Sequence, residues 1–135
     1  TRAHLLQAIY EGVVFSHMTH LNRMRERFTD VHTLRVTGGP AHSDVWMQML
    51  ADVSGLRIEL PQVEETGCFG AALAARVGTG VYHNFSEAQR DLQHPARTLL
   101  PDMTAHQLYQ QKYQRYQHLI AALQGFHARI KEHTL

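Results

Sequence analysis

Thr37-Gly38-Gly39-Pro40-Ala41-His42-Ser43-Asp44-Val45-Trp46 sets two adjacent glycines between a strand-like alternation and a helical one. Before the glycines, Leu34-Arg35-Val36-Thr37 alternates apolar and polar as a half-buried strand does; after them, Val45, Trp46, Met49, Leu50 and Val53 recur at helical spacing. Gly38 and Gly39 carry no Cβ and reach positive φ without strain, which leaves room for a flat or phosphorylated ligand against the backbone. The helix behind them opens with unpaired N–H groups. Ser43 is its natural N-cap, and Asp44 follows in the turn where negative charge is favoured. A strand, a Gly-Gly pair and a helix start have two readings: a nucleotide site, or a tight βα turn of ordinary length.

Outward from the loop, Gly55 is a plausible helix stop, and Leu56, Ile58 and Leu60 alternate with Arg57 and Glu59 as a second strand that Pro61 ends. Two strands joined through a helix are expected to run parallel, with Gly38 and Gly39 at the carboxyl edge, where open α/β sheets bind ligands. Upstream, Leu6, Ile9, Val13, His17, Leu21, Met24 and Phe28 recur every three or four residues and predict one amphipathic helix. Gly12 lies inside it, at a cost of about 1 kcal/mol against Ala unless close packing compensates. Downstream, Gly67 to Val77 predicts a helix whose Gly70, Ala71, Ala74 and Ala75 allow close approach of a neighbour. Ser86 with Gln89 and Thr104 with Gln107 read as capping boxes for two further helices, the last with a seam of Tyr109, Tyr113, Tyr116, Ile120 and Leu123.

Gly38-Gly39-Pro40-Ala41-His42-Ser43-Asp44-Val45-Trp46 and its continuation to Gly55 resemble the C-terminal domain of the FGGY carbohydrate kinases. Leu60-Pro61 followed by Glu65-Thr66-Gly67-Cys68-Phe69-Gly70-Ala71-Ala72-Leu73-Ala74-Ala75 resembles that family's second C-terminal signature, closed by Val77-Gly78-Thr79-Gly80-Val81-Tyr82. Glu11-Gly12-Val13 in the first helix is similar too. Pro40 departs from the Gly or Ala common in the family and removes one backbone donor from the loop. The stretch from Phe85 through Gln93-His94-Pro95-Ala96-Arg97 to Asp102 is most similar to members acting on ketopentoses such as L-xylulose.

The resemblance implies an α/β fold, part of an actin/Hsp70/hexokinase-like (ribonuclease H-like) ATPase domain with βα units and long flanking helices. It implies an ATP-dependent ketopentose kinase using ATP and Mg²⁺, of which residues 1–135 form the C-terminal nucleotide-binding part. Gly39 would then pass its backbone against the nucleotide, Gly38 would shape the turn, and Ser43 would stand where the family has a polar adenine contact. The sugar-binding N-terminal domain, the catalytic aspartate and the phosphate-binding hairpins are expected upstream, so that this segment alone has no activity. Asp30, Asp44, Asp52, Asp91 and Asp102 read as turn, cap or helix residues and not as the general base. The alternative is a nonenzymatic nucleotide-sensing or assembly module on the same actin-like fold, separated from the kinase by whether an aspartate-bearing FGGY domain lies upstream.

Composition narrows the function classes further. A length of 135 residues suits one domain with a real core, and a start at Thr1, almost inside a helix, suggests a fragment. Thirteen basic against twelve acidic side chains imply neither a polyanion nor a membrane surface as partner. Arg23, Arg25 and Arg27 are interrupted by Glu26 and read as a solvated helix face, so no nucleic acid is expected. No run approaches the roughly 20 apolar residues of a membrane helix. The single cysteine, Cys68, cannot form an internal disulfide and fits a cytoplasmic protein; it is expected as a small buried side chain. His17 and His20 lie three apart on a helix, but without further convergent ligands they make no metal site. The expected partners are a sugar and ATP, with self-association into a homo-oligomer.

Overall fold

Two long, mostly polar helices bracket in sequence a segment that forms a small apolar sheet. The computed structural model describes residues 1–63, 65–90 and 95–132, with the side chains of 127–132 left aside. Asp91, Gln93 and His94 of the sequence reading lie outside the described residues. The elements in order are α1 (Arg2–Arg27), β1 (Thr33–Arg35), a 3-10 turn (Gly39–His42), α2 (Asp44–Ser54), β2 (Arg57–Leu60), α3 (Thr66–Gly78), the short α4 (Phe85–Ala88), β3 (Arg97–Leu99) and α5 (Met103–Glu132). They group into two compact units: Thr1–Asp30 with Asp52–Gly55 and the chain from Pro101 onward, and Val31–Ala51 with Leu56–Leu100.

In the first unit α1 packs on α5 through aromatic rings. Phe15 lies with its centroid 6.4 Å from Tyr109, 5.7 Å from Tyr113 and 5.4 Å from Tyr116. The buried stripe of α1 is therefore Val14, Phe15, Met18 and Leu21. Of the expected face only Leu21 is buried; Leu6, Ile9, His17, Met24 and Phe28 are exposed and Val13 is more than a third exposed, which corrects the rest of it. Both stripes have helical spacing; the tyrosine seam of α5 selects the one with Phe15, because aromatic pairs add about 0.5–1.5 kcal/mol to area burial. The buried Tyr113 hydroxyl is satisfied by Thr19 Oγ1 at 3.1 Å and by Asn22 Nδ2, which donates at 3.4 Å. Gly12 has no atom near the position of an added Cβ, so close packing does not account for it.

The end of α2 is fastened within the same unit. The last carbonyls of a helix lack intrahelical donors. Here the Gln110 side chain donates to Val53 O at 3.3 Å, and His106 Nδ1 donates to Asp52 O at 2.8 Å, a carbonyl that can only accept. Gly55 stops the helix at φ +68°, as expected from the sequence. Asp102 caps α5, its Oδ1 accepting from Thr104 N and Ala105 N at 2.8 and 3.2 Å, so the cap lies two residues before the expected Thr104 box. Likewise α4 is capped by Asn84, which accepts from Glu87 N at 2.9 Å, while Glu87 accepts from His83 N at 2.8 Å; the expected Ser86 box is displaced.

In the second unit the sheet order is β1-β2-β3. β1 and β2 are parallel, as anticipated, and pair with Leu34 opposite Ile58. β3 is an antiparallel strand that the sequence reading lacked, with Leu99 opposite Ile58 and Arg97 opposite Leu60. Side chains alternate across a sheet. Leu34, Val36, Ile58, Leu60 and Leu99 accordingly join Met47 and Ala51 of α2 in the core. The first apolar position of α2, Val45, stays exposed. On the opposite face Arg35 pairs with Glu59 at 3.0 Å.

Candidate functional site

The site begins where β1 runs out. Val36 N still pairs with Glu59 O at 3.0 Å, one residue past the strand. Gly38 then turns the chain at φ +89°, a conformation that side-chain-bearing residues rarely adopt. Ala41 N and Ser43 N bond back to Gly38 O and Pro40 O, at 3.0 and 3.1 Å, and close the 3-10 turn. Pro40 suits the first positions of that turn, where a backbone N–H has no intrahelical partner. Ser43 caps α2: its carbonyl accepts from Met47 N at 2.9 Å and its Oγ from Trp46 N at 3.3 Å. Asp44 stands in the first turn of α2, as expected.

Both loop glycines face open space, for a Cβ built on either would meet nothing within 4 Å. Gly38 must be glycine for its backbone angle. Gly39 has no positive φ, so neither space nor backbone sign in the protein itself demands glycine there.

Beside the loop lies a cavity of about 290 Å³ whose wall includes Thr37, Gly38, His42, Gln62 and Arg97. Its position follows from the strand directions. The carboxyl ends of β1 and β2 and the amino end of the antiparallel β3 meet at one sheet edge. Arg97 Nη2 is 2.7 Å from Asp44 Oδ1 at the start of α2. The structure thus places Gly38 on the cavity and Ser43 at the neighbouring helix cap, with Gly39 opening the 3-10 turn between them. The sequence reading missed His42, Gln62 and Arg97. His42 closes the same turn and Gln62 lies two residues past β2, whereas the apposition of Arg97 to Gly38 depends on β3, which at three residues is too short to show a period.

A larger groove of about 650 Å³ occupies the other face of the sheet, with Pro61, Val63, Phe69 and Leu73 as apolar wall and Arg35, Thr37, Ser86 and Gln89 as polar rim. Gly70 lines it. A Cβ on Gly70 would meet nothing within 4 Å, and Ala71, Ala74 and Ala75 are exposed, which corrects the expectation of tight packing by α3. Cys68, expected as buried, is exposed.

Comparison with known proteins gives a consistent result. Residues 1–79 match the FGGY family of carbohydrate kinases, C-terminal domain. Across all 135 residues the chain is 98% identical to L-xylulose/3-keto-L-gulonate kinase of Escherichia coli (strain K12), covering 27% of that protein. It is 53% identical over 125 residues to a probable L-xylulose kinase of Haemophilus influenzae, covering 93% of this chain and 25% of the relative. The chain therefore spans about a quarter of the length of these curated relatives. Among solved structures, one described as a xyloylose kinase from Brucella ovis superposes with a TM-score of 0.80 at 28% identity, over 93% of this chain and 26% of that one.

Proposed function

The chain belongs to the FGGY family of carbohydrate kinases, and from that premise we propose that it is the adenosine-holding part of an ATP-dependent ketopentose kinase. The 98% identical relative points to L-xylulose or 3-keto-L-gulonate as the sugar accepted by the whole protein. Transfer of a phosphoryl group from ATP to a sugar hydroxyl requires positioning and charge stabilisation around the γ-phosphate. Those elements, the general base included, are assigned to the remaining three quarters of the protein, and this segment alone is inactive. The whole protein is proposed to be cytoplasmic and to form homo-oligomers; no described helix is long and apolar enough to cross a membrane.

The observation that carries the proposal is the Gly38-Gly39 loop, open on its outer face at the carboxyl edge of a parallel strand pair and bordering a cavity. Gly39 presents backbone to the nucleoside, Gly38 supplies the turn, and Ser43 donates its hydroxyl proton to the base. Capping uses only a lone pair of Ser43 Oγ, so both roles coexist on one hydroxyl. Mg²⁺ is proposed to enter with the phosphates of ATP. Among the described residues no group of three or more His, Cys, Asp or Glu is placed to hold an ion.

The test is Gly39→Val in the full-length kinase. The added side chain meets no protein atom at its Cβ, so it acts on whatever ligand occupies that space. KM for ATP should rise about tenfold or more, with KM for the sugar little changed. Unchanged ATP kinetics in a variant of normal melting temperature would reduce the loop to a turn.

A further inference from the structure

Arg97 sits on the same sheet face as Leu60, its partner in register, and reaches Asp44 at the start of α2. The two side chains are 47% and 68% exposed. An ion pair so exposed contributes little to stability. Its geometric effect is larger: Asp44 anchors one nitrogen of a planar fork that carries five N–H donors, on a residue that lines the same cavity as Gly38.

The chemistry of the cavity selects which end of a nucleotide it suits. A triphosphate calls for concentrated positive charge, and Arg97 is already matched by a carboxylate. The remaining polar wall, from Thr37, His42 and Gln62, offers hydroxyl, imidazole and amide groups suited to the edges of a base and a ribose. A guanidinium also stacks on aromatic faces. At about 290 Å³ the cavity has room for a nucleoside.

We infer that Arg97 holds the nucleoside half of ATP in the kinase, with Asp44 as the positioning residue that orients its guanidinium. The inference rests on the proposed nucleotide role of the Gly38-Gly39 loop and adds to it a residue from β3.

The experiment uses the full-length kinase with Arg97→Met, Arg97→Lys and Asp44→Asn, measuring KM for ATP, KM for the sugar and the inhibition constant of adenosine against ATP. Loss of a charge-assisted contact predicts about a tenfold rise in KM for ATP in Arg97→Met, with kcat changed far less. The adenosine constant should rise by the same factor, because the contact is to the half that adenosine shares with ATP. Arg97→Lys should recover little, since an ammonium lacks the planar fork, and Asp44→Asn should fall between wild type and Arg97→Met. An unchanged KM for ATP, or a raised KM with an unmoved adenosine constant, would overturn the inference, the latter by placing Arg97 on the phosphates. Gly39→Val separates the two ideas. If it weakens ATP while Arg97→Met does not, only the role of Arg97 falls; if it is silent while Arg97→Met weakens both ATP and adenosine, only the loop reading falls.

Discussion

Replacing Gly55 by Ala should destabilise the first unit by about 2 kcal/mol, from two separable causes. Gly55 holds φ +68°, and a Cβ built there would lie 2.8 Å from His106 Cε1, 3.0 Å from Nε2 and 3.2 Å from Nδ1. Left-handed backbone costs a non-glycine residue roughly 1–2 kcal/mol. The ring of His106 must also retreat, and its bond to Asp52 O at 2.8 Å is the contact it loses, worth about 1 kcal/mol. Against these, the stiffer unfolded chain of the alanine variant returns roughly 0.4–1 kcal/mol. Urea unfolding of the 135-residue chain, followed by helical circular dichroism, measures the net change. The His106→Ala background isolates the steric part. There Gly55→Ala should cost only the backbone term less the chain-entropy gain, about 1 kcal/mol or below. If Gly55→Ala costs the same in both backgrounds, His106 does not press on this turn, and if it costs nothing in either, the turn is not held in the left-handed region.

Gly70→Leu should be neutral or stabilising by up to about 1 kcal/mol, because the site is exposed with open space around its Cβ and leucine is the better helix former. A melting temperature that falls sharply would restore the close packing expected from the small-residue run. Tyr109 ionises above its ordinary value of 10.0, first because of burial and then because the Glu11 carboxylate opposes a second negative charge, with Asp52 adding to this and Lys112 partly offsetting it. The unfolded chain therefore ionises first, so the contribution of Tyr109 is intact below about pH 10 and is lost as pH climbs through the raised folded value. Tyr109→Phe should flatten that alkaline loss in a stability profile; an unchanged slope above pH 10 would contradict the burial of this phenol.

What the sequence settled by itself were the features written in local chemistry. Gly38 and Gly55 mark turns because only glycine takes their positive φ cheaply, and Ser43 and Asp44 mark a helix start because unpaired N–H groups want an acceptor and a negative charge. The alternation at Leu34–Val36 and Ile58–Leu60 likewise carried the two strands and their core face, since side chains on a strand repeat every second residue, and the helix joining them carried their parallel sense.

Tertiary structure decided what local pattern left equivalent. Two apolar stripes on α1 have the same spacing, and only the ring of Phe15 against the tyrosines of α5 determines which is buried. A run of small residues on α3 is compatible with tight packing and with open surface alike; the absence of any atom near Gly70 selects the second. Arg97 became a neighbour of Gly38 through the antiparallel pairing of β3 with β2, a contact between residues far apart in the chain that no local period encodes. The loop is thus legible from its own residues, whereas the wall facing it is set by a strand pairing whose energy comes from the whole sheet.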